Sequence, residues 1–244
     1  MIRDLWLIGI GTGSPRHVTL EGAQALRDAA AILLPLKAGK DDLAHLRRRI
    51  LDASGSTARI VPFDYPVRDE SLPYQDRVAA WHDEIARRWQ AAFDAPPDGP
   101  VALLVWGDPS LYDSTLRIAE RLEPRPRVRV VPGITAIQAL TAAHAIPLNT
   151  VNGPVTITTG RRLHDEGWPP GADTIVVMLD AECRFRDLDP AGLHIWWGAY
   201  LGSEDQILRS GPVAETADDI LATRQAARER HGWIMDTYLL RRAP

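Results

Sequence analysis

The chain has 244 residues, 45% of them apolar and 25% charged, which excludes a disordered or fibrous protein and leaves enough material for one large domain or two ordinary ones. A net charge of -4 provides no overall basic field for nucleic acid. Its only cysteine, Cys183, excludes an internal disulfide, and no run approaches the roughly 18 apolar residues that a membrane span needs.

The apolar run Leu5 to Ile10 predicts a strand buried on both faces, followed by the glycine loop Gly9-Ile10-Gly11-Thr12-Gly13-Ser14-Pro15. Thr19 can cap a helix to about Ala30, with Leu20, Ala23, Leu26 and Ala30 inward. Ala31 to Leu36 reads as a second strand. Asp41 or Asp42 can start the next helix, and its Arg47-Arg48-Arg49 reads as a solvated face. Ala58 to Pro62 is a third strand, and Phe63 to Tyr74 an irregular connection of the kind that often carries function. A helix over Asp76 to Phe93 aligns Val78, Trp81, Ile85, Trp89 and Phe93.

Strand Val101 to Trp106 then leads into Gly107-Asp108-Pro109-Ser110-Leu111-Tyr112 and a helix from Ser114 to Leu122. Strand Val128 to Val131 leads into Pro132-Gly133-Ile134-Thr135-Ala136 and a small-residue helix to Ala145. Strands alternating with helices predict a parallel sheet. Prolines, asparagines and a glycine between Pro147 and Pro154 suggest a boundary, giving domains of residues 1–148 and 149–244. The second half promises strands at Val155 to Thr159, Thr174 to Leu179, His194 to Tyr200 and Trp233 to Leu240, with a helix from Thr216 to Arg230.

Three glycine-bearing loops follow three strands of one parallel sheet. Ligands bind at the carboxyl ends of such strands, and glycine lets the backbone approach a ligand closely. The first loop is not a dinucleotide fingerprint. Its spacing is Gly9-x-Gly11-x-Gly13, Pro15 removes a backbone donor, and no acid ends the second strand at Leu33-Leu34-Pro35-Leu36. No Gly-Lys-Ser/Thr is present for a nucleotide P-loop. The seven histidines lack ligand-like spacing, so no metal is expected. Cys183 reads as a buried apolar side chain. With lysine only at 37 and 40, nearly all the basic side chains are arginine, which suits bidentate carboxylate binding. Arg161 and Arg162, just past a strand end, are the best candidates for it.

The first loop with Val18-Thr19-Leu20, Gly107-Asp108-Pro109, Val131-Pro132-Gly133-Ile134-Thr135-Ala136 and Ala145-Ile146-Pro147-Leu148 together resemble the tetrapyrrole (corrin/porphyrin) methylase family. The resemblance spans nearly the whole chain. It implies two α/β domains, an N-terminal parallel sheet and a C-terminal mixed sheet, with the active cleft between them. It also implies S-adenosylmethionine (SAM) as methyl donor, a small tetrapyrrole substrate, no nucleic acid or membrane partner, and a homodimer. Residues 104–117 and 196–202 are similar to the branch that methylates a corrin precursor while expelling an acetyl group; the alternative is methylation at another tetrapyrrole position. A nicotinamide oxidoreductase and a non-catalytic corrinoid-binding module are the readings from other classes.

By the same resemblance, the cofactor-binding residues are Pro15, Trp106, Gly107, Asp108, Leu111, Thr135, Ala136, Leu179 and Leu201. The methyl transfer needs mostly alignment, whereas loss of the acetyl group calls for a general base and an oxyanion donor. Tyr112 and Asp113 are the catalytic candidates, with Asp64 and His82 as alternative bases. Met1 runs straight into a strand, with no targeting segment, so a cytoplasmic protein is expected.

Overall fold

The computed structural model describes residues 2–36, 41–71, 73–93, 95 and 97–242. The chain divides into two compact units, Met1–Thr135 and Ala136–Pro244.

The first unit runs β1 (Asp4–Gly9), α1 (Leu20–Asp28), β2 (Ala31–Leu36), α2 (Asp41–Ser54), β3 (Arg59–Asp64), α3 (Tyr74–Ala91), β4 (Val101–Val105), α4 (Thr115–Ala119) and β5 (Arg127–Val131). Its five strands are all parallel, in the order β3-β2-β4-β1-β5. In register, Leu5 to Gly9 lie beside Val101 to Val105 on one side, and Asp4 to Ile8 beside Arg127 to Val131 on the other. Side chains alternate across the sheet, as the pleat requires. Leu5, Leu7, Leu33 and Leu103 pack with Ile85 and Trp89 of α3 and Ile118 of α4. Ile8, Ile10, Ile32 and Leu104 pack with Ala25 and Leu26 of α1 and Ile50 of α2. Helices thus cover both faces.

Thr19 caps α1 as expected, its Oγ1 accepting from Gly22 N at 2.9 Å. Leu20 does not face inward: it is 91% exposed, and Gly22, Ala25 and Leu26 form the buried stripe. The stripe starts two residues later because Leu20 is the first residue after the cap. The side chains of Asp41 and Asp42, expected to start α2, lie outside the described residues. Strand β5 is an edge strand, so Val128 and Val130 are each 40% exposed although their run reads as buried.

The second unit contains α5 (Ala136–Ala143), β6 (Val155–Thr159), α6 (Gly160–Glu166), β7 (Thr174–Met178), β8 (Leu193–Ala199), β9 (Ile207–Pro212), α7 (Val213–His231) and β10 (Asp236–Arg242). The sheet order is β6-β7-β10-β8-β9. Only β6 and β7 run parallel; the other pairs are antiparallel. Val177, Ile195, Trp197, Tyr238 and Leu240 pack with Phe185 and with Val213, Ile220 and Ala227 of α7. Helix α5 packs on β8 and β10, so it groups with the second sheet, and the division between units falls ahead of the proline-rich stretch.

Two elements here were not expected. Helix α6 begins at a glycine that reads as a loop residue; Thr159 caps it by accepting from Arg162 N. Strand β9 is a short polar edge strand ending in Gly211-Pro212. Cys183 is buried, and burial pushes its thiol up to about 11, as suits an inert packed side chain. No described helix is long and apolar enough to cross a membrane.

Candidate active site

In the first sheet the chain leaves β1 in one direction, passing β4 to reach β2, and leaves β4 in the other, passing β1 to reach β5. Neighbouring strands whose connections diverge form a topological switch point, where open α/β sheets bind ligands. The loops after β1, β4 and β5 all lie at this point.

Backbone packing locks the three loops together. Gly11 and Gly107 form an antiparallel bridge, with Gly107 N donating to Gly11 O at 2.8 Å and Gly11 N to Gly107 O at 3.4 Å. A Cβ added to Gly133 would lie 2.1 Å from Gly107 O and 2.7 Å from the Gly9 carbonyl carbon. A Cβ on Gly9 would meet Gly133 N at 2.6 Å. Only glycine fits at either position, because the obstructing atoms are backbone.

Asp108 adds a polar clasp. Its Oδ1 accepts from Ser110 N at 2.8 Å and from the Ser110 hydroxyl; its Oδ2 accepts from Gly133 N at 2.8 Å. Burial pushes the carboxyl up, but the hydrogen bonds from Ser110 and Gly133 outweigh it and hold the pKa below the usual carboxylate value. The start of α4 is held by Asp113, whose Oδ1 accepts from Thr115 N at 2.7 Å and from the Thr115 hydroxyl.

Tyr112 lies in the same loop with φ 48° and is 42% exposed. An aromatic residue held in the left-handed region stores roughly 1–3 kcal/mol of strain, a pattern concentrated at functional sites. Pro15 opens a short 3₁₀ turn, Pro15–His17, capped by Ser14 Oγ accepting from Arg16 N. His17 in that turn places Nδ1 3.1 Å from Thr12 Oγ1, and burial lowers its pKa. Leu111 N donates to Asp108 O at 3.2 Å, and Thr135 ends the first unit. The structure therefore brings together Gly107, Asp108, Leu111, Tyr112 and Asp113 on one loop, clasped to Gly133, with Pro15 on the loop bridged to Gly107.

Trp106 opens the middle loop, and the guanidinium carbon of Arg47 lies 4.7 Å over its ring centroid. This pairing was missed in the sequence, where Arg47 is the first of three consecutive arginines. Only the helical period, which turns Arg48 and Arg49 to solvent, separates it from them.

The other candidates belong to other elements. Asp64 is exposed at the end of β3. His82 is buried on α3 beside Trp81, its Nε2 has no hydrogen-bond partner among the described residues, and burial, then Arg121, Arg117 and Arg68, pull its pKa down. In the second unit Leu179 follows β7 with φ 54° and is 67% exposed, whereas Leu201 is buried. Ala136 is the first residue of α5. Arg162 pairs with Glu166 along α6 at 2.8 Å. Among the described residues no group of three or more His, Cys, Asp or Glu side chains is arranged to hold a metal ion.

Residues 4–217 match a family model described as Tetrapyrrole (Corrin/Porphyrin) Methylases. The chain is 48% identical to a precorrin-6A synthase [deacetylating] from a Sinorhizobium species, over 99% of the chain and 96% of that protein. Among solved structures, it superposes with TM-score 0.85 and 41% identity on a cobalamin synthesis related protein (CobF) from Corynebacterium diphtheriae, covering 100% of both chains. It also matches a uroporphyrin-III C-methyltransferase from Thermus thermophilus complexed with S-adenosyl homocysteine. There the TM-score is 0.60 at 18% identity, covering 97% of this chain and 96% of that one, a likeness of fold.

Proposed function

This chain belongs to the tetrapyrrole (corrin/porphyrin) methylase family, and from that premise we propose that it is a SAM-dependent C-methyltransferase acting on precorrin-5. In this reading it methylates carbon 1 and releases the acetyl group as acetate, yielding precorrin-6A and S-adenosylhomocysteine. The observation that carries the reading is the 48% identity to a deacetylating precorrin-6A synthase along nearly the entire chain.

The glycine-packed loops suit the methyl transfer. The sulfonium is already a good leaving group and the electron-rich macrocycle supplies the carbon nucleophile, so the protein must mainly hold donor and acceptor in line. Such alignment is worth roughly 7–11 kcal/mol when the geometry is fixed. Loops that cannot shift independently provide that rigidity. Pro15, Trp106, Gly107, Leu111, Thr135 and Ala136 are the proposed SAM contacts of the loops, with Leu179 and Leu201 packing on the adenosine. Asp108 spends three of its roughly four acceptor sites on Ser110 and Gly133, leaving one for the donor's ammonium group.

Acetate loss requires water to add to the acetyl carbonyl, after which the adduct collapses and the ring accepts the electron pair. Tyr112, strained and half exposed beside the clasp, is the proposed acid-base group, with Asp113 fixing the start of the following helix behind it. The same reading carries a homodimer in the cytoplasm, with no nucleic-acid or membrane partner; light scattering on the purified protein tests the stoichiometry.

Incubation with precorrin-5 and labelled SAM tests the function. Methylated product and acetate in equal amounts are expected. Methyl transfer without acetate overturns the deacetylating assignment in favour of another ring position. SAM binding with no transfer to precorrin-5 overturns the substrate.

A further inference from the structure

Arg47 is the one member of its arginine triplet that turns inward from α2; Arg48 and Arg49 are exposed. Its guanidinium stacks on Trp106, at the start of the loop after β4. Its hydrogen bonds are long: Nε to Leu104 O at 3.4 Å and Nη1 to Leu43 O at 3.5 Å. Among the described residues no carboxylate pairs with it. The groups that act on its charge are Tyr65 and Asp113. Tyr65 is a neutral phenol, pushed up to about 12 by burial and by Asp113. The Asp113 carboxylate is occupied by Thr115.

Arg47 is therefore a desolvated cation with five donors, two of them weakly used, that feels Asp113 through space but forms no ion pair among the described residues. Burial drags its pKa down to about 10, which leaves it charged at neutral pH. A buried charge without a directly bonded anion is costly, and the arrangement is relieved when one arrives. A planar fork offers two parallel hydrogen bonds to a carboxylate, and its Trp106 support holds the fork fixed rather than leaving it to wander. The exposed alternatives are less suited: Arg162 is already paired with Glu166.

We propose that Arg47, braced on Trp106, receives a peripheral carboxylate of the tetrapyrrole and so selects which edge of the macrocycle faces the glycine-packed loops. This rests on the substrate class proposed above. It makes Arg47 a substrate-recognition residue, with no part in SAM binding and none in bond making.

Arg47→Gln and Arg47→Lys in the full chain test it. Removing a charge-assisted hydrogen bond weakens an interaction roughly tenfold to a hundredfold. Arg47→Gln should raise the KM for precorrin-5 at least about tenfold, leave the calorimetric affinity for S-adenosylhomocysteine unchanged, and make KM rise less steeply with salt than in the parent. Arg47→Lys, which keeps the charge but not the fork, should fall between the two and serves if the glutamine variant does not fold. Parent-like KM values for precorrin-5 in the folded variants would overturn the proposal, as would a matching loss of S-adenosylhomocysteine affinity. If the parent chain itself transfers no methyl to precorrin-5, the substrate reading fails and the anchor fails with it. If the parent turns over and the variants share its KM, only the anchor fails.

Discussion

The strand ends of the two sheets are organised by opposite means. In the first unit the loops after β1, β4 and β5 meet through backbone, glycine against glycine, with Asp108 as a side-chain clasp. In the second unit the polar groups around β7, β8 and β10 meet through side chains. Asp180 accepts from Tyr238 Oη at 2.6 Å and from the backbone of Glu182 and Arg184, while Asp236 takes Arg224 at 2.8 Å and Trp197 Nε1 at 3.0 Å. A parallel sheet sends several carboxyl ends to the same edge, so its loops can crowd. A mixed sheet does not, and side chains must span the gaps. Backbone crowding leaves glycine in the sequence as a visible mark, whereas a side-chain network leaves ordinary Asp, Arg and Tyr.

The contrast is most sharply tested at Gly133. Gly133→Ala puts a Cβ onto Gly107 O and the Gly9 backbone, so we expect a loss of at least about 4 kcal/mol in urea unfolding, beyond the usual range for a single methyl, and no detectable SAM binding by calorimetry. A milder loss would show that the loops yield independently. The matching test in the second unit is Asp236→Ala. It strands the guanidinium of Arg224, whose side chain is only 11% exposed, and should cost about 3 kcal/mol in the same assay. A neutral result would mean that the network is dispensable.

Asp108→Asn isolates the clasp and should cost about 1 kcal/mol at neutral pH. The folded pKa of Asp108 lies below its unfolded value, so its contribution is complete above the unfolded pKa and drains away as pH falls through the lower folded one. The stability gap between parent and variant should be constant from pH 7 to about pH 5 and close below about pH 4. A gap that widens on acidification would reverse the assignment. The smallest effect is expected at Leu179, apolar, exposed and left-handed at once. Leu179→Asn should raise the unfolding free energy by roughly 0.5–1 kcal/mol, since asparagine tolerates that conformation. The same variant should bind SAM more weakly; an unchanged affinity would remove Leu179 from the cofactor site.

The first unit was legible in sequence because its central strands β1 and β4 are largely apolar runs that lead into glycine. The second unit was read less completely for physical reasons. Helix α6 opens on Gly160 because a Cβ there would sit 2.5 Å from the Asp180 carboxyl group, and a glycine in that place reads as a loop. Strand β9 is a polar edge, without the alternation that marks a half-buried strand. Within the site, Gly107, Gly133 and the unusual Tyr112 were visible, while Arg47 was hidden among neighbours of the same type. Charge type alone does not say which side of a helix meets an aromatic ring.

The mutual contact of Gly9, Gly107 and Gly133 has a consequence for how such a site can diversify. Neither Gly9 nor Gly133 can take a side chain unless the backbone of the other two moves, and Gly107 holds φ 64°, so variation is closed to the packed half of the loops. Tyr112, Asp113 and Ser114 follow just beyond it, where Asp113 holds the start of α4. Such a site is therefore free to vary in the residues that follow the glycines, while the glycine-packed frame itself is inherited intact.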